Sequence, residues 1–255
     1  MQDAPLSSIA PAATTPESFL ERYNSYFRTQ LADTQALVRT AQAIRYQVYC
    51  LERKFENPNE HGDCLEQDAF DAQSVHGLIF HRPTSDAIGT ARLILAQAAL
   101  PIRQLLAENG FRAGDYFPEG TTAEVSRFAI SNRFRRHRSD GVFADEDARH
   151  ARDAECRSSL PFLGLAQEII RQSQALGLTH WAAVMEPKLL RMLAAIGLHF
   201  TPVGPPVSHH GLRQPAYACI ADTLERMRRE RPDHWMVATD AGSLVPVQPA
   251  QRRAA

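Results

Sequence analysis

Apolar positions along the chain change period several times, and each change marks an element. Phe19, Tyr23, Tyr26 and Phe27 recur at helical spacing after Pro16 and predict a first helix over 17–31. The run from Ala36 to Arg39 reads as a short strand, and Ile44, Val48 and Leu51 give a second amphipathic helix. After an irregular polar stretch through Asn57, Pro58, Asn59 and Gly62, residues 75–80 and 88–95 read as a strand pair around Pro83-Thr84-Ser85-Asp86. Residues 123–131 form another strand. Leu163, Ala166, Ile170 and Leu176 then define a helix over 160–176 that ends at Gly177. A strand at 181–185 follows, then a short helix opened by Pro187 and ended near Gly197, an extended segment from Phe200, and a last helix from Thr223 to about Arg231. This order predicts an α/β or layered α+β domain without selecting one such fold.

Composition narrows the class. Hydrophobic residues make up 44% and charged residues 22%, the proportions of a soluble globular protein. With 28 basic and 29 acidic residues, no strong field draws the chain to nucleic acid or an anionic membrane. Met1 to Thr15 lacks the pattern of a signal peptide, and no apolar run reaches the roughly 18 residues of a membrane span. Cys50, Cys64, Cys156 and Cys219 are too scattered for a metal cluster or a disulfide framework, which fits the cytoplasm. Segments 1–15 and 241–255, rich in small and polar residues with interspersed prolines, are expected to be disordered around one domain over 16–240.

Candidate chemistry lies where charge interrupts apolar runs: Arg45-Tyr-Gln-Val-Tyr49, Glu66-Gln-Asp68-Ala-Phe-Asp71, Gly89-Thr-Ala-Arg92 and Glu124-Val-Ser-Arg127. An isolated ion loses several kcal/mol on burial, so these acids and arginines must pair with one another or serve a site. Their order and spacing resemble the acyl-homoserine-lactone (autoinducer) synthases and the N-acyl amino acid synthases. The matching positions are Arg45, Tyr49, Phe55, Asp68, Asp71, Arg92, Glu124 and Arg127, with Tyr49 and Phe55 where autoinducer synthases favour Phe and Trp. A closer resemblance, from about Phe19 to Thr239, is to the PEP-CTERM/exosortase system-associated acyltransferases. Arg45-Tyr-Gln-Val-Tyr-Cys50-x-Glu52, Glu124-Val-Ser-Arg127-Phe, Met185-Glu-Pro187-x-Leu-x-Arg191 and His210-Gly211-x-Arg213-x-Pro215 carry it.

The resemblance implies a GNAT acyltransferase fold, a mixed splayed sheet flanked by helices. It also implies transfer of a long-chain acyl group from a thioester, on acyl-carrier protein or coenzyme A, to the amine of an amino acid or similar acceptor. No bound cofactor or metal is expected. Aminolysis needs a neutral amine, and a carboxylate such as Glu124 can take its proton, help typically worth about 10²–10⁴ in rate. Arg127 is placed with it as catalytic. Arg45, Tyr49, Phe55, Asp68, Asp71, Arg92, His210 and Arg213 are expected to bind substrate: an arginine clamps an acceptor carboxylate, or the two aspartates orient arginines or meet the ammonium. The donor falls to Phe128, Ala129 and Ile130, with a backbone N–H of that strand stabilising the oxyanion, and to Arg135 and Arg136 in the basic run 133–138. That run lacks the glycine-rich pattern of enzymes using acetyl-coenzyme A, which favours a carrier-protein donor.

Plainer readings stand beside these. The arginines and acids can form an ion-pair network without chemistry, the basic run a solvated loop, and His210-Gly-x-Arg213-x-Pro215 a turn between late strands. Leu189, Met192, Leu193 and Ile196 read as core. Ser126 has no nucleophile-elbow context. Two further functions fit the same residues: an autoinducer synthase using S-adenosylmethionine, and a non-catalytic module that binds an acylated carrier or a pathway partner. One geometric expectation separates a shared site from coincidence. Glu124 and Arg127 are three apart and point to opposite faces of a regular strand, so one site for both requires a bulge.

Overall fold

The computed structural model describes residues 17–95, 99–132, 153–208 and 211–245, the side chains of 153–159 excepted. Helix α1 (Phe19–Tyr26) starts at a capping box: the Ser18 side chain accepts from the Glu21 N–H, and the Glu21 carboxylate accepts from the Ser18 N–H. It stops five residues earlier than its aromatic spacing predicts. From Phe27 the chain is extended as β1 (Phe27–Leu31), because backbone pairing with β2 (Ser74–His81) displaces the last helical turn.

The expected strand over 36–39 is the first part of helix α2 (Gln35–Arg45), whose N-terminus Thr34 caps through the Leu37 N–H. Three apolar residues and an arginine do not distinguish strand from helix, and the cap decides. Beyond Arg45 the helix widens into π turns over Tyr46–Glu52. The wider turn moves the buried stripe: Val48 and Cys50 are buried, whereas Leu51, expected on the apolar face, is 46% exposed.

One sheet runs through the molecule in the order β1-β2-β3-β4-β5-β8-β6, with β3 at Asp86–Ile94, β4 at Thr122–Ile130, β5 at His180–Met185, β6 at Thr201–Pro202 and β8 at Leu212–Cys219. A short β7 (Val207–Ser208) pairs with β8. Among the described residues β4–β5 is the one parallel pair, and its pairing ends at Val125↔Ala183 although both strands continue. The sheet therefore parts at its centre.

Helices cover both faces. The long helix α4 (Asp153–Ala175), ended by Gly177 at φ 64°, packs on β1, β2 and β3 over the main core of Ile79, Leu93, Val125, Phe128, Leu163 and Ile170. Trp181 lies in this core, its indole N–H donating to the Ser173 Oγ at 2.9 Å. Helix α2 covers Leu78, Phe80 and Ala129 on the other face. Beside it, α3 (Pro101–Glu108) buries Ile102 and Leu106 against Ile94 and Ala182. Helix α5 (Pro187–Ala195) follows β5, and α6 (Ile220–Glu230) and α7 (Pro232–Ala238) close the C-terminal side, where Leu244 packs into the main core. No helix among the described residues is long and apolar enough to cross a membrane.

Candidate active site

The parting of β4 from β5 opens a slot of about 780 Å³. Its β4 side presents Glu124, Ser126, Arg127 and Phe128 to Ile130, and its β5 side presents Val184, Met185 and Glu186. Tyr49, Phe55, Asp68 and Arg92 line one end, and Phe162 of α4 with Leu189, Met192 and Ala195 of α5 line another. Beyond Val125 the edge that β4 turns toward β5 has no strand partner, which leaves backbone donors there for a ligand.

The predicted bulge is present. Thr90 pairs with Ala129 and Arg92 with Ser126, so β4 carries one extra residue opposite β3, and Arg127 sits at φ 50°. A non-glycine residue in that region costs about 1–2 kcal/mol and must be held. The extra step leaves Val125, Phe128 and Ile130 in the core under α4 while Glu124 and Arg127 both line the slot. Close approach of β3 helps fix this register: a Cβ at Gly89 would lie 2.2 Å from the Ile130 side chain and 2.8 Å from the Ala129 carbonyl.

Arg127 is held by a buried ion-pair wall. Its Nη2 donates to Glu66 Oε1 at 2.8 Å and to Asp68 Oδ2 at 3.2 Å, and Glu56 lies 3.7 Å away. Arg92 Nη1 donates to Asp68 and Asp71, both at 2.6 Å, and its Nε to Ser126 Oγ at 2.9 Å. Arg45 donates from Nε to Glu66 and from Nη1 to Asp71 at 2.6 Å. Burial works against the charged carboxylates, but Arg127 and Arg45 outweigh it at Glu66, and Arg92 does so at Asp68. Both carboxyls lie at about 2. Asp71 is lowered in the same way.

Arg45 and Asp71, expected to touch substrate, stand one layer behind the slot: Arg45 is fully buried and neither residue lines the cavity. Their chain positions fall on α2 and on the turn before β2, which the slot does not reach. They position Glu66, Asp68 and Arg92 instead. Tyr49, Phe55, Asp68, Arg92 and Arg213 do line the slot, as do Phe128, Ala129 and Ile130. His210, Arg135 and Arg136 lie outside the described residues.

Glu124 is of another kind. It is 5% exposed, and its Oε2 accepts the Ile102 N–H at 2.8 Å, at the start of α3. Burial pushes its carboxyl up to about 7, with the Ile102 N–H and the charge of Arg92 opposing only in part. A carboxylate balanced near neutrality on the wall of a slot can exchange a proton with a bound group.

Some participants were not among the expected site residues. Glu52, in the π turns, accepts from Ser131 Oγ at 3.0 Å and from the Asn132 N–H, which ties the end of β4 to α2. Glu186, Lys188 and Phe162 line the slot, and Leu189 and Met192, read as core, line it too. Pro187 gave the helix start but not the gap in the sheet beside it. His76, opposite Arg92 on β2, is buried 3.9 Å from Asp71. Burial and the nearby Arg45 charge lower its imidazole to about 4, so it is neutral.

Residues 44–144, spanning the end of α2, the ion-pair wall and β4, match the family model for the acetyltransferase (GNAT) domain. No curated protein sequence matches the chain. Among solved structures, TofI in a ternary complex with an inhibitor and MTA is similar with TM-score 0.57 at 19% identity, over 78% of this chain and 96% of that one. A CoA-dependent acyl-homoserine lactone synthase, BjaI, with SAM and isopentyl-CoA, gives 0.52 at 18% identity over 84% and 98%. The AHL synthase LasI gives 0.50 at 17% identity over 75% and 88%. The chain has the GNAT fold, and within it residues 44–144 are similar to the acetyltransferase (GNAT) domain.

Proposed function

We propose that the protein is an N-acyltransferase that moves a long-chain acyl group from a thioester, on a carrier protein or coenzyme A, to the amine of an amino acid or similar small acceptor. The observation that carries the reading is Glu124. It is a buried carboxyl raised to about 7, on a slot that also carries the apolar stretch Phe128, Phe162, Leu189 and Met192. Directly or through a water, Glu124 takes the proton as the amine attacks the thioester carbon. Unpartnered backbone donors along β4 beyond Val125 receive the developing oxyanion, an effect of roughly 10²–10³ per donor. Phe128, Phe162, Leu189 and Met192 provide an apolar bed for the acyl chain. The motif resemblance to the exosortase-associated branch supports the same reading, and the two CoA-ligated and MTA-ligated relatives support a thioester donor with a small acceptor.

Purified protein, offered long-chain acyl-coenzyme A and acyl-carrier-protein thioesters with a mixture of amino acids, should release thiol and yield N-acyl products by mass spectrometry. Absence of product with both donors would sink the reading. The motif positions shared with autoinducer synthases favour one other acceptor, S-adenosylmethionine; lactone formation with methylthioadenosine release would identify it.

A further inference from the structure

The arginines of the slot differ in how much hydrogen-bonding capacity their neighbours take up. Given the N-acylation reading above, on which this step rests, that difference locates the acceptor's carboxylate. Arg45, Arg92 and Arg127 each meet two carboxylates directly. Turning any one of them to a ligand would break two of these ion pairs and leave two of the acids with a single arginine each.

Arg213 is unlike them. It projects from β8, next to β5, and its guanidinium carbon lies 4.9 Å from the Phe55 ring centroid, Phe55 belonging to the loop after the π turns. This cation–ring contact attracts the guanidinium without using its N–H donors. Of its five N–H donors, Nη1 gives one hydrogen bond, to the carbonyl of adjacent Leu212 at 3.1 Å. The Glu186 carboxylate is 3.7 Å away, attractive but beyond hydrogen-bond length. Yet the Arg213 side chain is only 13% exposed. A sheltered cation with little direct pairing is a strong anion receptor. Lys188, Arg191 and Arg53 also line the slot but are exposed, so water competes for them. Asp68 and Glu124 line the same cavity as this cation.

We propose that Arg213 is the specificity-determining residue of the slot, taking the carboxylate of a zwitterionic α-amino acid whose amino group faces Asp68 and Glu124.

The test compares α-amino acids with their primary amides (leucine with leucinamide, tyrosine with tyrosinamide), which keep the amine and side chain and lose the negative charge. The full-length protein is assayed with long-chain acyl-coenzyme A and acyl-carrier-protein donors, and acceptor binding is read in parallel by calorimetry. Acids should exceed amides by about 10–100-fold in kcat/KM. Arg213→Gln should raise KM for acids by a similar factor, with kcat and the amides little changed, and Arg213→Lys should recover part of the loss. Glu186→Gln, which removes the competing carboxylate, should lower KM for acids a few-fold, a shift that misfolding does not produce. Equal use of acids and amides, or equal loss of both in Arg213→Gln, overturns the assignment while leaving acyl transfer in place. Acid-selective binding that Arg213→Gln abolishes, without product from either donor, supports the assignment and overturns acyl transfer. Absence of both binding and transfer overturns both.

Discussion

Glu66 and Glu124 are buried glutamates about one cleft, and their protons behave in opposite ways. Glu66, 1% exposed, meets Arg45 and Arg127 and is held at about 2; Glu124, 5% exposed, meets one backbone N–H and is pushed to about 7. Burial alone does not decide the outcome, because it raises both. What differs is the supply of cationic donors. The wall of arginines and acids stays ionised at ordinary pH, while the carboxyl at the root of the parted strands can change charge there.

Substitutions at the two acids should separate these roles. Glu124→Gln keeps the shape and an acceptor for Ile102 but cannot take a proton, and kcat should fall by about 10²–10⁴ with the fold intact by circular dichroism. An unchanged rate would remove Glu124 from the chemistry. In the wild type, kcat/KM should rise with pH through about 7 as this carboxyl ionises. Arg92→Met strikes the other region: it leaves Asp68 and Asp71 short of a partner and should cost about 3–5 kcal/mol in denaturant unfolding. It also removes a charge that favours ionised Glu124, so any remaining activity should show its pH midpoint shifted upward.

Stability against pH tests the comparison directly. Glu124 has a folded pKa above its unfolded value, so the folded state binds the extra proton. Stability from this group is therefore lost as pH rises from about 4.5 to about 7, by at most roughly 3 kcal/mol. Glu66 and Asp68, depressed to about 2, act with the opposite sign: their contribution is present above their unfolded values near 4 and is lost as pH falls toward 2. Glu124→Gln should flatten the upper slope and leave the acid limb unchanged. Both limbs moving together would mean that the two regions titrate as one. A smaller effect is expected of Ser126→Ala, which strips Arg92 Nε of its 2.9 Å acceptor and should cost about 1.5–3 kcal/mol without moving the pH midpoint of catalysis.

Much of this was legible in the sequence where local pattern and tertiary demand agree. The β2–β3 pair, β4, α4 and α5 carry strong apolar periods and plain stop signals such as Gly177 and Pro187. Charges embedded in those periods exposed the ion-pair wall, since buried arginines need acids, and the odd spacing of Glu124 and Arg127 required the bulge. What was hidden depends on longer-range pairing. β1 exists because β2 draws Phe27–Leu31 out of a helical pattern. β8 contains Pro215, a residue that argues against a strand, yet it pairs with both β5 and β6. The layering of Arg45 behind Arg92 is likewise invisible in sequence, because both sit in equally apolar surroundings and only the packing of α2 on the sheet separates them.

The early end of the β4–β5 ladder gives the middle of the sheet a property normally confined to its rim. Amide protons of β4 past Val125 that face the gap lack a carbonyl partner from β5, so they should trade with deuterium much faster than those of β2 or β3, although all three strands are interior. Occupancy by a thioester donor should slow that trade at β4 selectively, which would make isotope uptake a readout of donor engagement that needs no turnover.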